Sequence, residues 1–196
     1  MKSSEIEKIN TEVLKLKNSP LYSYRVENNY LPVIGEGSED ATIMFIGEAP
    51  GRNEAKTGKP FCGAAGKILD ELLASITLRR EDIYITNIVK DRPPENRDPS
   101  SEEITAYGGF LDRQIDIIQP KIIATFGRYS MGYILKKFNL LAEIEPIGKA
   151  HGKTYLAEAS YGPIKIVALY HPCVALYNRK QLDTLKKDFK VLKKYA

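Results

Sequence analysis

The run Ile43-Met44-Phe45-Ile46 is apolar without a break and stops in a loop built from Gly47, Pro50 and Gly51. A strand with one wet face alternates polar and apolar residues. An unbroken apolar run instead fits a strand covered on both faces. The pattern predicts a strand over 41–47, and comparable short runs predict strands over 83–89, 121–126 and 164–169. Helical spacing fills the intervals. Leu69, Leu72, Leu73 and Ile76 share one face of a predicted helix over 66–75. Ser100 followed by Glu103 forms a capping box that opens a helix to about Ile118, and Pro120 stops it. Further helices are expected over 130–138 and 181–195. An N-terminal one over 5–17 is capped by Ser3 or Ser4 and carries Ile6, Ile9, Val13 and Leu16 on one face. Segments 18–37, 91–99 and 139–163 read as irregular. This alternation implies one α/β domain whose sheet is mostly parallel, with helices on both faces.

At 196 residues the chain is long enough to bury a substantial core. No apolar run reaches the roughly 20 residues of a membrane span, and the polar, helix-patterned start is unlike a signal peptide. Cys62 and Cys173 show no metal-ligand spacing, so a reducing, cytoplasmic setting is expected. The net charge of +4 permits a polyanionic partner without establishing one. Two nucleotide-binding signatures are absent. A phosphate-loop motif ending at Gly66-Lys67 would need Gly where Phe61 stands and a hydroxyl where Ile68 stands, and no Gly-x-Gly-x-x-Gly occurs.

Parallel strands deliver their C-terminal loops to one rim, where ligands bind. Four groups with chemistry reach that rim. Glu48 follows Gly47 in a loop whose glycines let a ligand approach backbone N–H groups; it either positions water or a cationic intermediate, or caps a helix. Phe61 is either a core plug or a face on which a base stacks. Asn87, inside an apolar strand, is either a satisfied core amide or a donor–acceptor pair reading a ligand edge. His171, before Pro172, has the same two readings and would suit donation to a leaving group. His151 has no neighbour in sequence with chemistry of its own.

Together these segments resemble the family 4 uracil-DNA glycosylases. The resemblance rests on Gly47-Glu48-Ala49-Pro50-Gly51, the stretch Gly58-Lys59-Pro60-Phe61-Cys62-Gly63-Ala64-Ala65-Gly66, the run 85–90, the proline loop 92–97, Phe110-Leu111 with Gln114-Ile115, the block 120–123, Gly127 and His171-Pro172. They stand in family order from about residue 21 to the C-terminal helix. The resemblance implies a three-layer fold with a four-stranded parallel sheet, and a monomer acting on uracil in single- or double-stranded DNA. The target base would be flipped out of the stack, and its N-glycosidic bond hydrolysed to leave an abasic site. In the family, the residue matching Phe61 stacks on uracil. Those matching Asn87 and His171 bond its edge and its O2, the one matching Glu48 belongs to the water-side motif, and the backbone at Ala49 forms pocket floor. The implied DNA contacts are Lys56, Lys59, Arg92, Asn96, Arg97 and the segment from Val174 to Tyr177, which would wedge into the gap left by the base. Two other readings are a non-catalytic binder of damaged or single-stranded DNA and a glycosylase for hypoxanthine or xanthine. Family members also hold a [4Fe–4S] cluster on four cysteines. The matching positions here are Leu16, Ser19, Asp91 and Tyr107, none a thiolate. The expectation is therefore no cluster and no metal, with Tyr22, Tyr24 and Tyr107 holding the loops instead. A related branch that becomes trapped on DNA carries a histidine-bearing loop; residues 52–59 contain no histidine.

Overall fold

The computed structural model describes residues 1–195. In chain order the elements are helices α1 (Lys2–Leu14) and α2 (Tyr22–Glu27), strands β1 (Glu36–Gly37) and β2 (Ile43–Gly47), helices α3 (Arg52–Thr57) and α4 (Ala64–Ser75), strand β3 (Tyr84–Asn87), helix α5 (Ser101–Ile118), strand β4 (Ile122–Phe126), helices α6 (Gly127–Lys137) and α7 (Ile147–Ala150), strands β5 (Thr154–Ala159) and β6 (Gly162–Leu169), and helices α8 (Val174–Tyr177) and α9 (Gln181–Phe189). A 3-10 segment, Lys190–Tyr195, takes the place of the last turns expected of the C-terminal helix. Among the described residues no helix is long and apolar enough to cross a membrane.

The sheet has six strands in the order β1-β3-β2-β4-β6-β5. The four anticipated strands, β3, β2, β4 and β6, pair in parallel and form its centre. Sequence patterning missed the two antiparallel edges. β1 is only two residues long, and β5, inside the stretch expected to be irregular, forms a hairpin with β6 and keeps most of its side chains partly or fully exposed. Every residue of β2 and β4 is buried, as continuous apolar runs require. Alternate residues sort to two faces. Ile43 and Phe45 join the core under α4 and α9, with Leu69, Leu72, Leu185 and Phe189. Met44 and Ile46 join the core under α5 and α6, with Leu111, Ile115, Met131 and Ile134. A third cluster, of Ile9, Val13, Leu21, Ile34, Val89 and Tyr107, fixes the N-terminal layer to α5. The Ser100–Glu103 capping box forms in both directions.

Candidate active site

After the short edge strand β1, the chain lays down the first parallel strand, β2, near the middle of the sheet, then goes to one side, β3, before crossing to the other, β4 and β6. The C-terminal ends of β2 and its neighbours therefore border a topological switch point, the crevice where α/β proteins bind ligands. Gly47 and Asn87 are paired residues at the ends of β2 and β3. A Cβ on Gly47 would lie 2.2 Å from Asn87 Oδ1 and 3.2 Å from the Phe61 ring. Gly47 is thus the floor against which an amide and an aromatic ring both rest, and no larger residue leaves them there. Phe61 in turn stacks on His171, centroids 5.5 Å apart at 27°, and both rings contact Phe126. Three of the four groups singled out in sequence are therefore in one packed constellation. Glu48, half-buried, follows Gly47 directly and shares its loop.

Each group is held by its own device. Phe61 adopts a left-handed backbone (φ 49°), an unusual state for a bulky residue that surrounding structure must enforce. Arg80 donates to the carbonyls of Pro60, Phe61 and Gly66, and a Cβ on Gly66 would collide with the Phe61 carbonyl at 1.7 Å. The N–H of Gly63 donates to Glu54 Oε1 (3.1 Å), which fixes the entry to α4. The peptide N–H groups of Ile88 and Val89 donate to the carbonyls of Gly47 and Glu48, stitching the two loops together.

The electrostatics separate the titratable pair. The N–H of Cys173 donates to His171 Nδ1 (3.1 Å), so the neutral ring carries its proton on Nε2 and can donate from there. Burial pushes the His171 pKa down to about 4, which keeps the ring neutral at physiological pH. Burial also raises Glu48 to about 7. The nearby Asp98 carboxylate adds to that, and the Arg128 guanidinium opposes it. Asp98 itself is held by Arg128 and by the Tyr129 hydroxyl. The Asn87 side chain is 2% exposed, yet among the described residues its amide makes no hydrogen bond. Tyr155 Oη is the one fully buried side-chain polar atom without a partner among them, so the Asn87 amide keeps a trace of exposed surface. A satisfied core amide is excluded on that geometry.

The remaining sequence-derived residues distribute differently. Ala49 is partly buried and packs on the third cluster. Lys59 is exposed on the first loop. Arg92, expected on the rim, is 8% exposed: its guanidinium donates to the Tyr24 and Tyr30 hydroxyls and to Asn96 Oδ1. Arg97 is exposed, but forks onto the two carboxylate oxygens of Glu103 at 2.9 and 2.6 Å. Val174 turns inward against the core, whereas Leu176 and Tyr177 are 47% and 90% exposed. His151, isolated in sequence, meets Asp188 at 2.7 Å and stacks on Tyr170. Arg80 and Lys90, which donate to the Phe61 and Asn87 carbonyls, were not legible as partners of these residues. Arg80 reaches across 19 residues, and no spacing rule links it to its partner. The lysine after Asn87-Ile88-Val89 was the one visible signal, a charge closing an apolar run. Clefts of about 600 and 820 Å³ lie elsewhere, one lined by Lys121, Leu156 and Tyr195, the other between α5 and α6; neither contains any of the four groups.

Known proteins match this sequence over most of its length. The model of the uracil DNA glycosylase superfamily matches residues 34–194. A type-4 uracil-DNA glycosylase of Sulfurisphaera tokodaii is 47% identical over 97% of this chain and 84% of its own length. One from Archaeoglobus fulgidus is 44% identical over 91% and 87%. One from Thermotoga maritima is 40% identical over 89% and 84%. The strand-end switch point, the packed Asn87, Phe61 and His171 beside it and a match over most of the chain converge on one assignment: the chain belongs to the uracil DNA glycosylase superfamily.

Proposed function

We propose that this protein excises uracil from DNA by hydrolysing the N-glycosidic bond of a flipped nucleotide. The observation that carries the reading is the unpartnered Asn87 amide, resting with the Phe61 ring on Gly47 beside a histidine whose free N–H is Nε2. An amide offers one acceptor and two donors. Uracil presents N3–H and O4 to such a group; cytosine presents the reverse pattern and would leave buried partners unmade. The Phe61 ring supplies a stacking face worth roughly 1–3 kcal/mol. Cleavage of the C1′–N1 bond makes a uracil anion and a cation-like sugar. The neutral His171 Nε2–H donates to uracil O2 as that charge grows, with the ring already fixed by its bond from Cys173. Glu48, ionised above about pH 7, stabilises the sugar and orients the attacking water.

DNA would lie along the strand-end rim, with Lys59, Asn96 and Arg97 near its phosphates and Leu176 or Tyr177, rather than Val174, filling the vacated stack. Arg92, enclosed by tyrosines, supports this loop from inside. The test is incubation with a uracil-containing oligonucleotide followed by alkali. Strand breaks are expected from the native protein and not from Glu48→Ala/His171→Ala. Retention of the oligonucleotide without breaks would replace catalysis with simple binding.

The iron–sulfur cluster that the family implies does not fit the residues present. Three of the four matching side chains are committed to one another. Ser19 Oγ bonds Tyr107 Oη at 2.6 Å, Tyr107 donates to Asp91 Oδ2 at 2.5 Å, and Arg25 donates to both Asp91 oxygens at 3.2 and 3.1 Å. The fourth, Leu16, packs on the third apolar cluster. Arg25 also caps the end of α1 through the carbonyls of Val13 and Leu14. We read this as a polar clasp in the cluster's place, in a cytoplasmic protein whose two cysteines are free. Colourless protein without iron is the expected result; stoichiometric iron and visible absorbance would overturn it.

A further inference from the structure

Lys90 is 0% exposed and has no carboxylate among its partners. Its Nζ donates to Thr86 Oγ1 (2.8 Å), the Asn87 carbonyl (2.7 Å) and Gln114 Oε1 (2.5 Å). Those acceptors are fixed in turn. Thr86 Oγ1 donates to the Ile34 carbonyl at 2.6 Å, and Gln114 Nε2 donates to the same carbonyl at 2.9 Å and to Tyr84 Oη at 3.2 Å. Burying an amine against neutral acceptors is expensive, and an apolar side chain of similar volume is commonly as stable or more so. Packing alone does not account for a lysine here.

The backbone supplies a reason. The N–H of Ile88 points toward β2, where it donates to the Gly47 carbonyl. The Asn87 carbonyl belongs to the same peptide and points the opposite way, off the outer edge of β3. The strand on that edge, β1, pairs only with Ile85 and Tyr84 and has ended before Asn87. The carbonyl would therefore have no ladder partner, and Lys90 provides one. We propose that Lys90 is a positioning residue for base reading: it replaces the missing strand bond and so fixes the peptide from which the Asn87 amide projects. Gln114 and Thr86 aim the amine. The inference rests on Asn87 reading uracil, as proposed above.

The test is a mutant cycle on the full chain, with kcat/KM for uracil excision and inhibition by free uracil as the two readouts. Lys90→Met is expected to lower kcat/KM on the order of 10-fold or more and to weaken uracil inhibition in parallel. Added to Asn87→Ala it should cost nothing further, because the group it positions is already gone; added to Lys59→Ala its effect should multiply. Lys90→Met/Gln114→Leu, which also removes the Gln114 oxygen that Lys90→Met leaves unpaired, is expected to recover part of the melting temperature lost in Lys90→Met but not excision. An equal loss in the Asn87→Ala background, or recovery of excision along with melting, would overturn the inference. Absence of excision by the native protein would instead overturn the functional reading itself.

Discussion

Two regions of the molecule put polar side chains withdrawn from water to opposite ends. In the clasp, a carboxylate, two hydroxyls and a guanidinium are buried, and each is answered: Leu21 N–H to Ser19, Ser19 to Tyr107, Tyr107 to Asp91, Arg25 to Asp91. At the strand-end rim Asn87 is buried and Glu48 and His171 are half-buried, but Asn87 has no side-chain partner and His171 has one nitrogen left over. Burial raises the pKa of both Asp91 and Glu48. The bonds from Tyr107 and Arg25 pull Asp91 back, whereas the Asp98 carboxylate pushes Glu48 further up. Satisfied polar groups hold a fold together; an unpartnered one at a strand-end rim is left available to a ligand. The N-terminal layer is pinned by the first kind and the strand-end rim carries the second.

The contrast breaks most visibly through its carboxylates. Glu48→Gln should reduce excision by about 10²–10⁴-fold, the range of a positioned acid–base group, and leave folding intact. Arg25→Met should do the converse. It strands a buried Asp91 and removes the cap of α1, at about 3–5 kcal/mol of stability, while the folded fraction excises at the native rate. Denaturant unfolding and active-site-normalised kinetics on the two variants check both. An activity loss in Arg25→Met that exceeds its unfolded fraction would show that the clasp and the crevice are one unit. Gly47→Ala comes next: it removes no functional group, but its methyl must displace Asn87 Oδ1 or Phe61. Excision should fall on the order of 10-fold or more, with uracil binding weakened rather than water attack.

How much of this was legible follows from the range of the interactions involved. The four central strands were readable because burial on both faces writes itself as an unbroken apolar run, and α5 because both halves of its cap lie within four residues. α2, α3 and α8, of four to six residues, are too short for helical periodicity and exist through tertiary contact. β5 did carry a signal, since Tyr155 alternates with exposed neighbours, but one face was too small to outweigh the polar surroundings. Glu48, Phe61, Asn87 and His171 could be nominated because each sits at the end or in the loop of a recognisable strand. What they do to one another could not: the meeting of Asn87 and Phe61 over Gly47 spans two loops. Arg92 illustrates the reverse error. An arginine in a proline loop looks exposed, and only the fold shows three side chains closing over it.

The smallest effect separates function from stability at a single atom pair. Glu48 has its pKa raised in the folded state, so folding prefers the protonated form. Its penalty is absent below the ordinary carboxylate range, grows as pH rises, and is complete above about 7. Glu48→Gln should therefore melt with the native protein near pH 4 and above it near pH 8, by about 2–4 °C for each kcal/mol relieved. Excision runs the other way: with His171 neutral throughout, kcat/KM should climb through about pH 7 as Glu48 ionises, and the residual rate of Glu48→Gln should lack that climb. Thermal melts and pH–rate profiles on the same two proteins test both signs. Identical melting curves across the range would mean that Glu48 is better solvated than its half-buried position implies, and would remove the cost that distinguishes the crevice from the clasp.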